Sequence, residues 1–236
     1  MVLDRVIAIS VALLIVTGAV TMVSQRAYYD RWYYISEFGA EGLPTEADFK
    51  LGFSVLAFGL VLAAWPLRTI RHAANGKRLI VAPWLTTALS GICFVIASQV
   101  NCTENCPGLA NPEASLRDHL HVWIAIFGFV FGCLTMLLVA IARAGRMRAV
   151  TITAAALVAV ISGVGGLLSL AGDTSEFGAM FEHVAAGVGL LWLLWAVMSE
   201  VSRAHRSLFS EPQQDSRQAP DESTNPQPAD PALDQA

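Results

Sequence analysis

The chain has 236 residues, of which 55% are apolar and only 14% are charged. A soluble domain normally carries about a quarter charged residues, so this chain has too few ionic groups to face water on all sides. Four cysteines are too few for a disulfide-rich secreted scaffold, and a net charge of −4 argues against a nucleic-acid partner. The composition favours a polytopic membrane protein whose main partner is the lipid bilayer.

Six apolar runs come close to the roughly 20 residues that a helix needs to cross a bilayer. They cover residues 6–24, 51–67, 79–100, 122–142, 149–171 and 180–198. None shows the alternation of a barrel strand. The sequence therefore predicts an all-α bundle of six transmembrane helices. The first run exceeds the ~7–15-residue apolar core of a signal peptide, so we expect a retained helix.

Lysine and arginine are distributed unequally over the two sides of this layout. Ten lie at the N-terminus, in the second and fourth connections and just after the last run, whereas four lie on the opposite side. Since basic residues concentrate in cytoplasmic loops, both termini are expected in the cytoplasm. The loops around residues 25–50, 101–118 and 172–180 are then extracytoplasmic.

The composition changes after residue 210. Residues 211–236 hold five of the ten prolines and six acidic residues. Such a segment buries too little apolar surface to fold. The sequence predicts two parts, a transmembrane domain over residues 1–210 and a disordered, acidic cytoplasmic tail over residues 211–236.

Helix starts on the outer side carry capping patterns. Thr45-x-x-Asp48 precedes the second apolar run and Ser115-x-x-Asp118 precedes the fourth. In a capping box, the hydroxyl and the carboxylate satisfy N–H groups of the first turn. Both patterns predict helix N-termini.

Polar residues at the membrane boundary are the candidate site. Asp118 and His121 share one helical face, and Glu182 and His183 open the sixth run at a similar depth. Two imidazoles with two carboxylates can hold Zn²⁺ with an open position, so zinc is the candidate cofactor. The alternatives are a proton relay and a structural role, in which Asp118 caps its helix and the others anchor helices at the interface.

The four groups converge only if the fourth and sixth helices pack together. Small residues that allow such packing lie at Gly128 and Gly132 in one helix and at Ala185 and Gly189 in the other.

Ser36 and Glu37, in the first outer loop, are candidate catalytic residues together with Asp118 and His121. A serine nucleophile needs a base within hydrogen-bond reach, which the sequence does not show.

Cys102 and Cys106 lie in an outer loop, where a close thiol pair is expected to be oxidised. The spacing allows a disulfide if the loop turns tightly. Metal ligation is the alternative, although two cysteines do not complete a site.

Several of these motifs resemble a known family. The segment YYISEFG at residues 33–39, Gly52-Phe53 and Cys102-x-x-x-Cys106-Pro107 followed by His121 resemble the bacterial domain-of-unknown-function family 998. The resemblance covers about 200 residues and implies a six-helix integral membrane protein with no established activity. It also implies a bacterial cell membrane, the inner one, as its location.

Three functional classes stay open. A structural or interaction role with other envelope proteins fits the absence of a catalytic motif. A metal-dependent hydrolase acting on a lipid or envelope substrate at the outer leaflet fits the Asp/His/Glu grouping. A small-molecule or proton-coupled carrier is third, because the middles of the apolar runs hold no ionisable residue.

Overall fold

The computed structural model describes residues 2–104, 106–170 and 176–209, without the side chains of residues 169, 170 and 207–209. Over these residues the chain is helical and has no named strand. The α-helices are α1 (Val2–Ser24), α2 (Glu46–Leu67), α3 (Pro83–Gln99), α4 (Leu116–Ala142), α5 (Gly145–Leu170) and α6 (Glu176–Phe209). Two short 3₁₀ helices, Gln25–Tyr28 and Ile35–Gly39, lie between α1 and α2.

Each α-helix coincides with one predicted apolar run, and five of them extend past it into polar residues. α3 is the exception, since it begins at Pro83 and not at residue 79. Proline fits the first turn of a helix because its missing N–H needs no partner there. The preceding Leu79 instead donates its N–H to the Arg71 carbonyl of the α2–α3 loop.

Five helices are long and apolar enough to cross a membrane, namely α1, α2, α4, α5 and α6. α3 has 17 residues, which corresponds to about 26 Å against a hydrocarbon core of ~30 Å. By length and composition the fold is that of a multi-pass membrane protein with five candidate spans, which is one fewer than the predicted six.

Consecutive helices run antiparallel. Asp4 at the start of α1 lies 2.8 Å from Arg68 at the end of α2, while Gly18 contacts Gly52 near the other ends of the same helices. Ser90 Oγ in α3 donates to the Gly128 carbonyl of α4 at 2.8 Å. The start of the α2–α3 loop therefore lies at the end of the bundle opposite the connection between α1 and α2.

Glycine sets a close contact between α1 and α2. A Cβ at Gly18 would lie 2.6 Å from both the Gly52 carbonyl oxygen and the Leu56 nitrogen. These are backbone atoms that cannot move aside, so α1 and α2 approach at a distance that only glycine allows.

The small face of α4 packs on α3. A Cβ at Gly128 would lie 2.8 Å from the Phe94 ring, and one at Gly132 would lie 3.6 Å from Ser90 Oγ. Convergence of the four candidate ligands depends on this face packing against α6, and the contacts at Gly128 and Gly132 are instead with the Phe94 ring and the Ser90 hydroxyl of α3.

The end of the bundle that holds the α2–α3 and α4–α5 loops is fastened by polar contacts. Arg143 Nε, at the end of α4, donates to Glu200 Oε1 of α6 at 2.8 Å. The Ala74 N–H of the α2–α3 loop donates to the Ile141 carbonyl of α4 at 2.9 Å. The opposite end holds the residues singled out in the sequence.

The chain divides into two units at Val201 and Ser202, within α6. The predicted tail, residues 211–236, lies outside the described residues.

Candidate functional site

The candidate site lies where α4 and α6 begin and where the chain returns from α1 to α2. The segment from Trp32 to Ile35 presents backbone N–H groups to acidic side chains. The N–H of Trp32 donates to Glu176 at 3.1 Å, and that of Tyr34 donates to Glu37 at 2.6 Å. These hydrogen bonds hold the segment to Glu176 at the start of α6 and to Glu37 in the 3₁₀ helix Ile35–Gly39.

Glu37 and Glu182 bring two carboxyls to neighbouring amides. Glu182 Oε2 accepts from the Ile35 N–H at 2.6 Å, next to the Tyr34 N–H that Glu37 Oε2 accepts. In the part of the chain that the structure describes, the Oε1 atoms of both carboxyls accept no hydrogen bond. Each carboxyl thus keeps an acceptor for a ligand.

Burial raises the pKa of the Glu37 carboxyl above its ordinary value of 4.5, although the Tyr34 N–H and the Arg31 charge act in the opposite direction. The Arg31 guanidinium lies over the Tyr33 ring, 4.2 Å from its centroid. A partly desolvated carboxyl of this kind binds a proton or a hydrogen-bond donor more readily than an exposed one.

Ser36, the predicted nucleophile, faces the cysteine loop. Its hydroxyl lies 3.6 Å from Cys106 Sγ, and its carbonyl oxygen lies 3.7 Å from Cys102 Sγ. Among the described residues, no carboxyl or imidazole lies at hydrogen-bond distance from this hydroxyl. The structure therefore supplies no base for it.

Cys102 and Cys106 form a close pair. Their Cα atoms are 5.0 Å apart, within the ~7 Å that a disulfide tolerates. Cys106 has φ of +43°, the one non-glycine residue in the left-handed region among those described. The loop therefore makes the tight turn that the spacing requires, and the disulfide itself stays a prediction.

His121 is buried beside this pair. Its Nδ1 lies 2.6 Å from the Val100 carbonyl oxygen. Since a carbonyl only accepts, we assign the proton to Nδ1, which leaves the lone pair on Nε2. The three side chains of Cys102, Cys106 and His121 each offer a ligand atom, and these atoms all lie within 4.8 Å of one another.

Asp118 is a structural residue. It is 0% exposed, and its carboxylate accepts from the N–H and hydroxyl of Ser115 and from those of Thr103. Ser115 in turn accepts from the Asp118 N–H, so the predicted capping box is confirmed. The other predicted cap is wrong, because Thr45 makes no side-chain cap and donates to the Phe38 carbonyl at 2.7 Å.

His183 is held by its own helix and by aromatic rings. Its Nδ1 lies 2.9 Å from the Ala179 carbonyl. The Trp32 and Phe38 rings meet it edge-on, with centroids at 5.3 and 6.0 Å.

The predicted zinc ligands do not form one group. In the described residues, the group of three or more potential ligands within 4.8 Å consists of Cys102, Cys106 and His121, and only His121 belongs to the predicted four. The Cys–Cys–His group is able to hold a metal, but the sequence interpretation treated the cysteines and the histidine separately. Their shared position at the outer end was the signal that could have joined them.

A cavity of about 710 Å³ opens between the helices below these groups. Ser36, Glu37, Cys106, His121, Glu182 and His183 line its polar end. Along α4 the lining runs from His121 to Met136, a distance of about 22 Å at ~1.5 Å per residue. Among the described residues that line the cavity there is no lysine or arginine.

The deeper lining is effectively apolar. The Thr87 hydroxyl donates to the Pro83 carbonyl at 2.8 Å, Thr135 donates to Phe131 at 3.0 Å, and Ser162 donates to Val158 at 2.6 Å. These hydroxyls are satisfied by helix carbonyls, so they do not demand a polar ligand. Phe53, Phe94, Met136, Trp192 and Leu193 are among the apolar side chains around them.

Glycine and alanine on α5 and α6 keep the cavity open. A Cβ at Gly163, Gly166 or Gly187 would meet no atom within 4 Å, and all three residues line the cavity. On these two helices the sequence predicted packing only at Ala185 and Gly189 of α6, and no pattern marks the other glycines as bordering open space, which is why sequence reasoning missed the cavity.

The sequence profile of the family described as "Protein of unknown function (DUF998)" matches residues 6–199. No curated protein and no solved structure matches the chain.

Proposed function

The chain belongs to the DUF998 family of proteins of unknown function, and we propose that it is a membrane protein that holds an amphiphilic molecule in its central cavity. The cavity carries the proposal. Ligand sites have volumes of about 300–1,000 Å³, and the volume here is about 710 Å³.

The apolar lining of the deep part selects the kind of molecule that suits it. Burying an apolar chain is favourable, because each CH₂ removed from water contributes about 0.8 kcal/mol. Water is a poor occupant of apolar space, so the deep part suits an apolar chain.

The length of the cavity suits a lipid chain. One leaflet contributes about half of the ~30 Å hydrocarbon core, or ~15 Å. The cavity runs about 22 Å along α4 from His121 to Met136. A single acyl or alkyl chain therefore fits along the helices with its head group at the polar end.

The head group is neutral or cationic. Glu37 and Glu182 each keep an acceptor at the polar end, and no lysine or arginine lines the described cavity. A phosphate or sulfate would face two carboxyls, and Arg31, whose charge acts on Glu37, is not among the residues that line the cavity. Hydroxyl or amine donors complement the free acceptors.

The membrane arrangement belongs to the same proposal. α3 is a sixth, short span, since 17 residues equals the lower limit of ~17 for a transmembrane helix. The basic residues favour cytoplasmic termini and an extracytoplasmic polar end, as expected for a cell-membrane protein. Reporter fusions after Arg78 and after Asn111 should read opposite sides, and identical readings would contradict this topology.

Hydrolysis of the bound amphiphile is the second candidate function. It is supported by the Cys–Cys–His group, because Cys106 and His121 line the polar end where the head group would lie. We favour ligand binding over the interaction role expected from the sequence because the cavity has the size of a ligand site.

The test is mass spectrometry of lipids extracted from the purified protein. We expect about one amphiphile with a neutral or amine head group per chain, enriched over its share in the membrane. A lipid fraction with the bulk membrane composition and no enriched species would overturn the proposal.

A further inference from the structure

Three side chains meet at the polar end in a combination that differs from the sequence-predicted ligands. Cys102 is 0% exposed and His121 is 4% exposed, while Cys106 is half-buried. Their ligand atoms all lie within 4.8 Å of one another. Two sulfurs with one imidazole are the donor set of a Cys₂His zinc site with an open fourth position.

The hydrogen bond that His121 makes is of a kind found at metal sites. Its Nδ1 lies 2.6 Å from the Val100 carbonyl, which fixes the proton there. Metal-binding histidines typically donate their second ring N–H to a carbonyl or carboxylate in this way. Nε2 is left with a lone pair and no proton to lose.

The Cys–Cys–His group borders the cavity. Cys106, His121 and Ser36 all line it, and Ser36 Oγ lies 3.6 Å from Cys106 Sγ. A metal held by the two sulfurs and the imidazole would therefore have the Ser36 hydroxyl or a water beside it, at the end where the proposed ligand has its head group.

We propose that the reduced pair Cys102 and Cys106, with His121, binds one Zn²⁺, and that disulfide formation and zinc binding exclude each other. A dithiol reductant supplies two electrons and two protons, becomes a disulfide itself and converts the Cys102–Cys106 disulfide into two thiols. Zinc then displaces both thiol protons, so that two thiolates and one neutral imidazole are the ligands. In the oxidised form the sulfurs are bonded to each other and supply no thiolate.

The redox state of Cys102 and Cys106 thus decides whether a disulfide or a zinc ion links the two residues. The site should prefer zinc to magnesium or calcium. Thiolate and imidazole bind zinc well, whereas magnesium and calcium are hard ions that prefer oxygen ligands.

The experiment measures zinc on the purified full-length chain. Protein with Cys93→Ser and Cys133→Ser removes the two other cysteines and is the starting form. It is reduced with a dithiol, freed of reductant without oxygen, and titrated with Zn²⁺ against a chromophoric chelator. We expect one zinc per chain after reduction and none before it.

Cys106→Gly and His121→Ala, made in the same background, should each weaken zinc binding at least tenfold. Cys106→Gly is the safer variant, because glycine adopts the φ of +43° at this position without strain. Ser24→Ala, an exposed hydroxyl removed elsewhere, is the matched control and should bind zinc normally.

No zinc on the reduced protein would overturn the proposal, as would an affinity that Cys106→Gly leaves unchanged. Equal zinc binding by the oxidised protein would overturn the exclusion. Because the readout is metal stoichiometry, failure here leaves the amphiphile proposal standing.

Discussion

Filling the cavity from α6 should weaken ligand binding strongly while leaving the fold intact. Gly187 lines the cavity, and a Cβ built there meets no atom within 4 Å. A leucine at this position therefore points four carbon atoms into the space that the ligand chain occupies. The helix should tolerate it, since leucine is favoured over glycine in a helix by about 0.5–1 kcal/mol.

The expected size of the effect follows from the displaced carbons. At about 0.8 kcal/mol per buried CH₂, excluding about four carbons of ligand weakens binding by about 3 kcal/mol, or about 200-fold in Kd. A ligand at 100 times its Kd stabilises the wild type by ~2.7 kcal/mol. For a chain of this size that is a rise in Tm of about 5–11 °C. The same ligand concentration should shift the Gly187→Leu variant by less than about 1 °C.

The assay is thermal unfolding in lipid nanodiscs with an added single-chain alkyl amine, and with the alkyl sulfate of the same chain as the anionic counterpart. Val184→Leu is the control, because Val184 is 50% exposed on the same helix and is not among the cavity residues. It should respond to the amine like the wild type. A full amine-induced shift in Gly187→Leu, or an equal shift with the sulfate, would refute the reasoning.

Three further predictions concern packing, pH and capping. Gly18→Ala should lower stability by about 1–3 kcal/mol, because its Cβ would lie 2.6 Å from backbone atoms of α2, whereas Gly163→Ala, which meets nothing within 4 Å, should be neutral or stabilising. Thermal unfolding distinguishes the two, and equal effects would contradict the close α1–α2 contact. Because the pKa of Glu37 is raised above its ordinary value of 4.5, the folded state holds this proton more tightly. The stability this gives is present below about pH 4.5 and is lost as the pH rises through the folded pKa. The Tm of the wild type should therefore fall more than that of Glu37→Gln between about pH 4 and pH 7, and parallel profiles would count against the burial of this carboxyl. Asp118→Ala should cost about 2–5 kcal/mol, since the partly buried N–H groups of Thr103 and Ser115 lose their acceptor. The measurement is the abundance of each variant in the membrane, which Asp118→Ala should lower. Asp48→Ala is the control, because Asp48 is an exposed acid in the first turn of α2, and it should keep normal abundance. A normally abundant Asp118→Ala would contradict the structural role.

The helices could be predicted from the sequence because each one is a long apolar run. The start of α3 could not, since Leu79, Ile80 and Val81 are as apolar as the helix that follows. Only the contact of Leu79 with Arg71 and the proline at position 83 place them in the loop.

Local signals predicted one cap correctly and the other wrongly. Ser115 and Asp118 each accept the backbone N–H of the other, so the four-residue pattern is sufficient to predict this cap. Thr45 is instead engaged by the Phe38 carbonyl and the Tyr29 hydroxyl, which are tertiary contacts that no short pattern records.

The candidate site depends on how helices are spaced, which the sequence does not state. Gly128 is a packing residue, as its motif predicts, and its neighbour is Phe94 of α3, which the motif alone does not identify. Gly187 shows the opposite case, since it borders open space. Both are glycines in apolar helices, and only the fold separates a contact from a cavity.

The central claim is that an amphiphile occupies the cavity, and an experimental density map of the protein in lipid nanodiscs tests it most directly. The account predicts elongated density that begins beside Glu37 and Glu182 and extends along α6 past Gly187 toward Trp192. A cavity that is empty, or that is closed by α6 moving against α4, would contradict it.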